Sequence, residues 1–166
     1  MKIVVLKFGG TSVGTIEKIK TVAEIIAAYK KKNYKVIVVS SAMSGVTNEL
    51  IKKSKEISEN FSDSEYDTLV STGEQIACSL IAGRLTHIGY DSRSWLAWQI
   101  PIFTHGLHKN SRIQNINKKK ILKYLRNGGI PIIAGFQGIN ENERISTIGR
   151  GGSDASAIMF AKFFKA

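Results

Sequence analysis

Apolar residues follow two patterns along this chain, and the two patterns predict different secondary structures. Short runs rich in β-branched residues fill segments 3–6, 35–40 and 130–136, which is typical of strands buried on both faces. Elsewhere the apolar residues recur at helical spacing. The first helix, which Thr15 or the residues just before it can cap, is expected to turn inward Ile16, Ile19, Ala23, Ile26 and Ala27.

Three later segments carry further expectations. One long helical pattern extends from residue 66 to about 88, and Gly73 inside it suggests a close approach to a neighbouring group or a ligand. Residues 137–146 are polar and are expected to form a hairpin. A last helix follows, which Ser153 or Asp154 can cap.

The alternation of strands and helices predicts an α/β fold, namely a three-layer αβα sandwich with a mostly parallel sheet. In such sheets, ligands bind outside the carboxyl ends of the strands. Turns rich in glycine and hydroxyl residues follow the strands at 3–6, 35–40 and 130–136. We therefore expect these turns to meet at one binding site.

Composition narrows the class of protein. The 166 residues, of which 43% are hydrophobic, suffice for one globular domain or part of one. No apolar run approaches the roughly 18 residues that a membrane span requires, and the N-terminus has no signal-peptide pattern. The single cysteine, Cys78, is expected to be a buried structural thiol. These features favour a cytoplasmic protein without a membrane partner.

The chain is strongly basic, with a formal net charge of +11 and no acidic residue between Asp91 and Glu141. A nucleic-acid-binding surface is one interpretation of this charge. However, the lysines at 118–120 fall on the polar side of a predicted amphipathic helix, so a solvated helix face explains them better. A polyanionic substrate such as ATP would also suit a positive field. We expect no nucleic-acid partner.

The strongest candidate for a binding site is the stretch KFGGTSVG at residues 7–14, between the first strand and the first helix. Paired glycines let the backbone approach a ligand closely, and free N–H groups with the helix dipole favour an anion. Lys7 adds a positive charge, while Thr11 and Ser12 add hydroxyl donors. The lysine precedes the glycines, so this is a phosphate cradle of a kind other than the Walker A loop.

This stretch resembles the start of the aspartokinases, which belong to the amino-acid kinase family. Four further segments are similar to aspartokinase motifs and occur in the same order: SAMSGVTN at 41–48, STGE at 71–74, GFQG at 135–138 and TIGRGGSD at 147–154. The resemblance covers the whole chain. It implies the amino-acid kinase or carbamate kinase-like fold and the phosphorylation of L-aspartate by ATP to 4-phospho-L-aspartate, the first step toward lysine, diaminopimelate, threonine and methionine.

The resemblance also implies roles for individual residues. Lys7 would neutralise the transferred phosphoryl group and Asp154 would orient Lys7, which makes these two the catalytic residues. The implied ATP-phosphate-binding residues are Lys7, Phe8, Gly9, Gly10, Thr11 and Ser12. The implied aspartate-binding residues are Ser41, Thr47, Glu74, Arg150, Gly151, Gly152, Ser153 and Asp154. No side chains are assigned to a metal, and Mg²⁺ would be bound mainly through the nucleotide.

The resemblance implies that residues 1–166 are the N-terminal, substrate-binding portion of the kinase domain, with a C-terminally incomplete sheet. The nucleotide-binding C-terminal part and the regulatory ACT domains would be absent. Activity of the chain alone therefore stays open, and we expect self-association or pairing with a separately encoded remainder. The alternative is a truncated, inactive remnant that serves as a ligand-binding or interaction module.

Overall fold

Strands and helices alternate along most of the chain, of which the computed structural model describes residues 2–149 and 151–166. The strands are β1 (Ile3–Phe8), β2 (Lys35–Ser40), β3 (Ser92–Trp95), β4 (Ile102–His105), β5 (Arg112–Ile116), β6 (Ile130–Ala134), β7 (Gln137–Ile139) and β8 (Ile145–Thr147). The helices are α1 (Ile16–Lys31), α2 (Val46–Ile57), α3 (Asp63–Val70), α4 (Thr72–His87), α5 (Lys119–Arg126) and α6 (Gly152–Phe164).

The main sheet is entirely parallel, in the order β1-β2-β6-β3. Its central strands β2 and β6 are two of the three predicted apolar runs and are almost completely buried, because helices cover both faces of the sheet. β1 and β3 form its edges. The prediction of an α/β fold with a mostly parallel sheet is therefore confirmed.

Two apolar cores lie on opposite faces of this sheet, since successive side chains of a strand point to opposite sides. Val36 and Val38 of β2 pack with the buried faces of α1 and α4. Ile37 and Val39 pack on the other side with α5, α6 and residues of β4 and β5. This arrangement produces the expected three layers. Within the described residues, no helix is both long and apolar enough to cross a membrane.

A second sheet lies beside the main one, in the order β5-β4-β7-β8. β7 and β8 form the hairpin that the polar stretch at 137–146 predicts. β4 and β5 form another antiparallel pair, which the sequence pattern does not predict because both strands are short and partly polar. The connections from this second sheet to β6 and to α6 contribute Phe136 and Gly149 to the cleft described below.

The predicted long helix at 66–88 is wrong in one respect, because a turn at Ser71 divides it into α3 and α4. Gln137 of β7 donates a hydrogen bond from Nε2 to the Ser71 carbonyl oxygen over 3.0 Å, which fixes the turn from the second sheet. Beyond the turn, Gly73 packs against the β2–α2 loop so closely that a Cβ there would lie 2.8 Å from the Cβ of Ala42. The expectation of a close approach at Gly73 is confirmed.

Helix starts differ from expectation at α6 and agree at α1. Thr15 caps α1, because its Oγ1 accepts a hydrogen bond from the Lys18 N–H over 3.3 Å. At α6 the cap is Gly151 in a left-handed conformation (φ 72°), where glycine has no Cβ penalty, so neither Ser153 nor Asp154 is the cap. Ile16 was expected to face inward but is 51% exposed, because it lies at the first position of α1, outside the layer contact.

Candidate functional site

A cleft of about 320 Å³ lies at the carboxyl ends of β1, β2 and β6, where the sequence predicts a site. It is lined by Lys7, Gly10, Ser41, Ala42, Met43, Ser44, Gly45, Thr47, Glu74, Phe136, Gly149, Gly151, Gly152, Ser153 and Asp154. Most residues that the resemblance assigns to aspartate are in this set. Arg150 is also assigned to aspartate and lies outside the described residues.

Lys7 and Asp154 form an ion pair at the mouth of the cleft. Lys7 is near the end of β1 and Asp154 is in the first turn of α6, and 2.9 Å separates Lys7 Nζ from Asp154 Oδ1. The Asp154 side chain also lies at the positive end of the α6 dipole, which attracts negative charge. Because the Asp154 side chain is 63% exposed, the pair orients the ammonium group more than it stabilises the fold.

The glycine turn after β1 brings backbone N–H groups next to this ammonium group. The Gly9 carbonyl accepts hydrogen bonds from the N–H groups of Ser12 (2.9 Å) and Val13 (3.2 Å), which curls the chain into a tight turn. Within the described part of the chain, the N–H groups of Gly10 and Thr11 donate to no protein acceptor. Two backbone donors beside a lysine are suited to an anion.

The turn leaves little room for a side chain at Gly10, where a Cβ would lie 3.1 Å from the Ala42 carbonyl oxygen. A Cβ on Gly9 would lie 3.3 Å from Lys7 Nζ, the flexible end of a side chain that can shift. Thr11 and Ser12 are exposed at the rim, outside the lining of the cleft. Phe8 packs its side chain into the core between the sheet, α1 and α4, so only its backbone can serve a ligand.

Glu74 is the buried charged group of the cleft. It is the last residue of the predicted motif STGE, in the first turn of α4, and is 3% exposed. Its Oε1 accepts a hydrogen bond from the Ala42 N–H over 3.1 Å, whereas Oε2 is buried without a hydrogen-bond partner among residues 2–149 and 151–166. Burial raises the pKa of the Glu74 carboxyl from 4.5 to about 7, although the Ala42 hydrogen bond opposes the change. An unpartnered carboxylate oxygen in a cleft is suited to a cationic group.

Three hydroxyl groups complete the interior of the cleft. Ser41 follows β2, Thr47 is in the first turn of α2, and Ser153 is in the first turn of α6. None of these hydroxyls makes a hydrogen bond within residues 2–149 and 151–166, so each is available to a ligand. Their arrangement depends on left-handed glycines, since Gly45 (φ 85°) and Gly151 (φ 72°) start the two helices.

Phe136 and the Ala42 N–H contribute to the site although no role was predicted for either. Phe136 has a left-handed backbone (φ 66°), and its ring packs against the start of α6 so closely that a Cβ on Gly152 would lie 2.6 Å from Cδ2. Gly152 is therefore required by this contact. The motif GFQG gave no local signal for this conformation, because a bulky residue such as phenylalanine rarely adopts a positive φ.

Within the described residues, no three His, Cys, Asp or Glu side chains are grouped in a way that could hold a metal ion.

Two other features of the molecule, a buried cysteine and a larger cleft, lie outside this site. Cys78 is fully buried in α4, and burial raises the pKa of its thiol, as expected of a structural cysteine. A larger cleft, of about 760 Å³, lies between the β4–β5 and β7–β8 turns and contains none of the assigned residues.

Comparison with known proteins agrees with this arrangement. The aspartokinase of Rickettsia felis is 46% identical to this chain over 169 aligned residues, which cover all of this chain and 42% of that protein. The chain thus spans about two fifths of the length of the curated relative it matches. Aspartokinase 2 of Bacillus subtilis is 45% identical, with all of this chain and 41% of that protein covered.

Solved structures show the same fold. The aspartate kinase from Synechocystis superposes with a TM-score of 0.84 at 38% identity, covering all of this chain and 27% of that one. The family model described as the amino acid kinase family matches residues 2–166. From the parallel sheet, the cleft at its carboxyl ends and this match, we conclude that the chain belongs to the amino acid kinase family.

Proposed function

We propose that this chain binds L-aspartate in the cleft around Glu74 and presents the β-carboxylate for phosphorylation by ATP. The observation that carries the proposal is Glu74 itself. A nearly buried carboxylate with one unpartnered oxygen is costly unless a cation comes to meet it, and the α-ammonium group of an amino acid is such a cation. The ion pair of Lys7 and Asp154 borders the same cleft, where a phosphoryl group would be transferred.

The remaining groups fit the rest of an aspartate molecule. The hydroxyls of Ser41, Thr47 and Ser153 are available to carboxylate oxygens. Arg150, by its chemistry, would hold a carboxylate in a bidentate pair. The β-carboxylate is ionised at neutral pH, so its oxygen can attack the γ-phosphorus without a strong general base. A new P–O bond forms as the bond to the bridging oxygen of ADP breaks.

Charge neutralisation is the main chemical task in such a transfer. Lys7 would interact with the transferred phosphoryl group, and the N–H groups of Gly10 and Thr11 would donate to phosphate oxygens. Asp154 would hold the Lys7 ammonium in place. Among the described residues that line the cleft, the carboxylates are Glu74 and Asp154, so Mg²⁺ would reach the site mainly through the nucleotide phosphates.

We also propose a domain assignment, in which residues 1–166 are the substrate-binding portion of an amino-acid kinase domain. The relatives from Rickettsia felis and Bacillus subtilis are aspartokinases, and this chain covers about two fifths of each. One solved structure of the same fold (22% identical, TM-score 0.85) is described as aspartokinase III of E. coli in complex with aspartate and ADP. The adenine pocket would then come from another segment or chain. The free edge of β1 offers a place for such an association. The product of the complete enzyme would enter the synthesis of lysine, diaminopimelate, threonine and methionine in the cytoplasm.

The test is titration calorimetry of the protein with L-aspartate, succinate and L-asparagine. Succinate lacks the ammonium group that Glu74 would meet, and asparagine lacks the second carboxylate, so both should bind at least about tenfold more weakly than aspartate. Formation of acyl phosphate from ATP, trapped with hydroxylamine, then tests the transfer. Absence of aspartate binding would refute the proposal. Binding without transfer, even in the presence of a nucleotide-binding partner chain, would instead favour a ligand-binding module.

A further inference from the structure

Asp67 is a fully buried carboxylate outside the cleft, on α3, seven residues before Glu74. Four groups surround its two oxygens. The Lys109 N–H donates to both oxygens at 3.1 Å, and the Thr147 N–H donates to Oδ2 at 2.9 Å. The Thr147 hydroxyl donates to Oδ1, and His108 Nδ1 lies 2.7 Å from Oδ2. All four groups come from the second sheet and its β4–β5 turn.

Thr147 connects this carboxylate to the cleft. It is the last residue of β8, and the chain runs from it directly through Gly149 to the cap of α6 at Gly151. The segment is held on its other sides as well, since the Ile148 N–H donates to the Phe136 carbonyl (2.9 Å) and the Ser111 N–H donates to the Thr147 carbonyl (3.0 Å). Asp67 therefore sets where the segment begins its approach to the substrate cleft.

Asp67 joins the two chain segments that form opposite sides of the cleft. Its own helix leads through the turn at Ser71 into α4 with Glu74, and its hydrogen bonds reach the segment that leads to Ser153. A buried charge is not needed for this packing, because apolar side chains of similar size commonly give equal or greater stability. What a carboxylate with several donors adds is a fixed geometry between the groups that it joins.

We propose that Asp67 is a positioning residue that sets the spacing between Glu74 and residues 147–149 and 151–154, and thereby the affinity for the amino-acid substrate. This inference rests on the proposed function, because the substrate is taken to be L-aspartate. Asp67 touches no substrate, since it lies outside the lining of the cleft. Its effect is transmitted by the Thr147 hydrogen bonds.

The test compares Asp67→Asn and Thr147→Val with the unchanged protein in calorimetric titrations with L-aspartate. The asparagine keeps the size of the side chain but turns an NH₂ group toward donors, so we expect binding about 10- to 100-fold weaker. The valine keeps the shape and the backbone N–H but loses one donor, so we expect a loss of roughly three- to tenfold. In the double variant the two losses should not add, because both act through the same contact.

Ile26→Ala is the control for loss of stability alone. Ile26 is fully buried on α1, outside the cleft, so this variant should melt at a lower temperature and still bind aspartate normally where it is folded. Aspartate affinity within twofold of the original for Asp67→Asn would overturn the inference, whatever its melting temperature. If Asp67→Asn does not fold, unchanged affinity in Thr147→Val overturns it. Failure of the unchanged protein to bind aspartate would refute the proposed function instead.

Discussion

Glu74→Gln tests whether the negative charge of Glu74 destabilises the fold while it supports ligand binding. Glu74 is 3% exposed, and burial raises its pKa from 4.5 to about 7. Glutamine has nearly the same shape, can accept the Ala42 N–H hydrogen bond and never ionises. The variant therefore removes the charge and leaves the packing in place.

The expected gain in stability follows from the change in pKa. A carboxyl with a higher pKa in the folded than in the unfolded state destabilises the fold as pH rises from about 4.5 to about 7, and above that the penalty is constant. The full difference corresponds to about 3 kcal/mol at pH 8, an upper bound because water in the cleft screens the charge. Near pH 4 the variant and the original protein should be about equally stable, since both present a neutral group there.

Urea denaturation of both proteins at pH 4, 6 and 8 measures this difference. Glu24→Gln is the matched control, because Glu24 is exposed on α1 and the change in net charge is the same. Its effect on the free energy of unfolding should stay within about 0.5 kcal/mol at each pH. A Glu74→Gln variant that is no more stable than the original at pH 8, or whose difference does not grow with pH, would refute the desolvation reasoning.

The same substitution should weaken aspartate binding while it stabilises the fold. The ionised carboxylate is the form that attracts an ammonium group, so affinity of the original protein should rise with pH up to about 7, with proton release on binding near pH 6. Glu74→Gln should bind at least about tenfold more weakly at pH 8 and lose this pH dependence. Equal affinity of the two proteins at pH 8 would show that Glu74 does not meet the ammonium group.

Two further substitutions probe the cleft from other sides. Gly73→Ala should lower the unfolding free energy measured in urea by about 1–3 kcal/mol, because the added Cβ would be 2.8 Å from a neighbouring side-chain carbon. Gly83→Ala is the control in the same helix, where the added Cβ meets nothing and should stabilise the fold by about 0.5–1 kcal/mol. Similar values for both variants would contradict the close approach at Gly73. Asp154→Asn releases the Lys7 ammonium and should lower the rate of acyl-phosphate formation about 10- to 100-fold. Its free energy of unfolding in urea should stay within about 0.5 kcal/mol of the original. An unchanged rate would show that the Lys7–Asp154 ion pair does not contribute to phosphoryl transfer.

Much of the main sheet could be predicted because strands that are buried on both faces contain continuous runs of apolar residues. β2 is apolar from Val36 to Val39 and β6 is apolar throughout, so their runs stand out without reference to distant residues. The site could be located for a related reason. Glycines and hydroxyls after parallel strands must gather at one edge of the sheet, and the structure brings Lys7, Ser41 and Ser153 together there.

Features that depend on distant partners could not be predicted. Asp67 is one of three acids on a short helix, with the exposed Asp63 and Glu65, and only its partners about 40 and 80 residues away make it different. The turn at Ser71 likewise depends on a hydrogen bond from Gln137, which belongs to another sheet. Local periodicity carries no information about such contacts.

The edge position of β1 has a consequence for how accurately Lys7 is held. β1 has a strand neighbour on one side only, so alternate amides along it have no sheet partner, and such strands open locally more often than central ones. Their amide hydrogens should exchange with solvent sooner than those of β2 and β6. Lys7 lies near the end of β1, so we expect a chain that pairs with this edge to narrow the range of positions of its ammonium group and to change the turnover rate without touching the cleft.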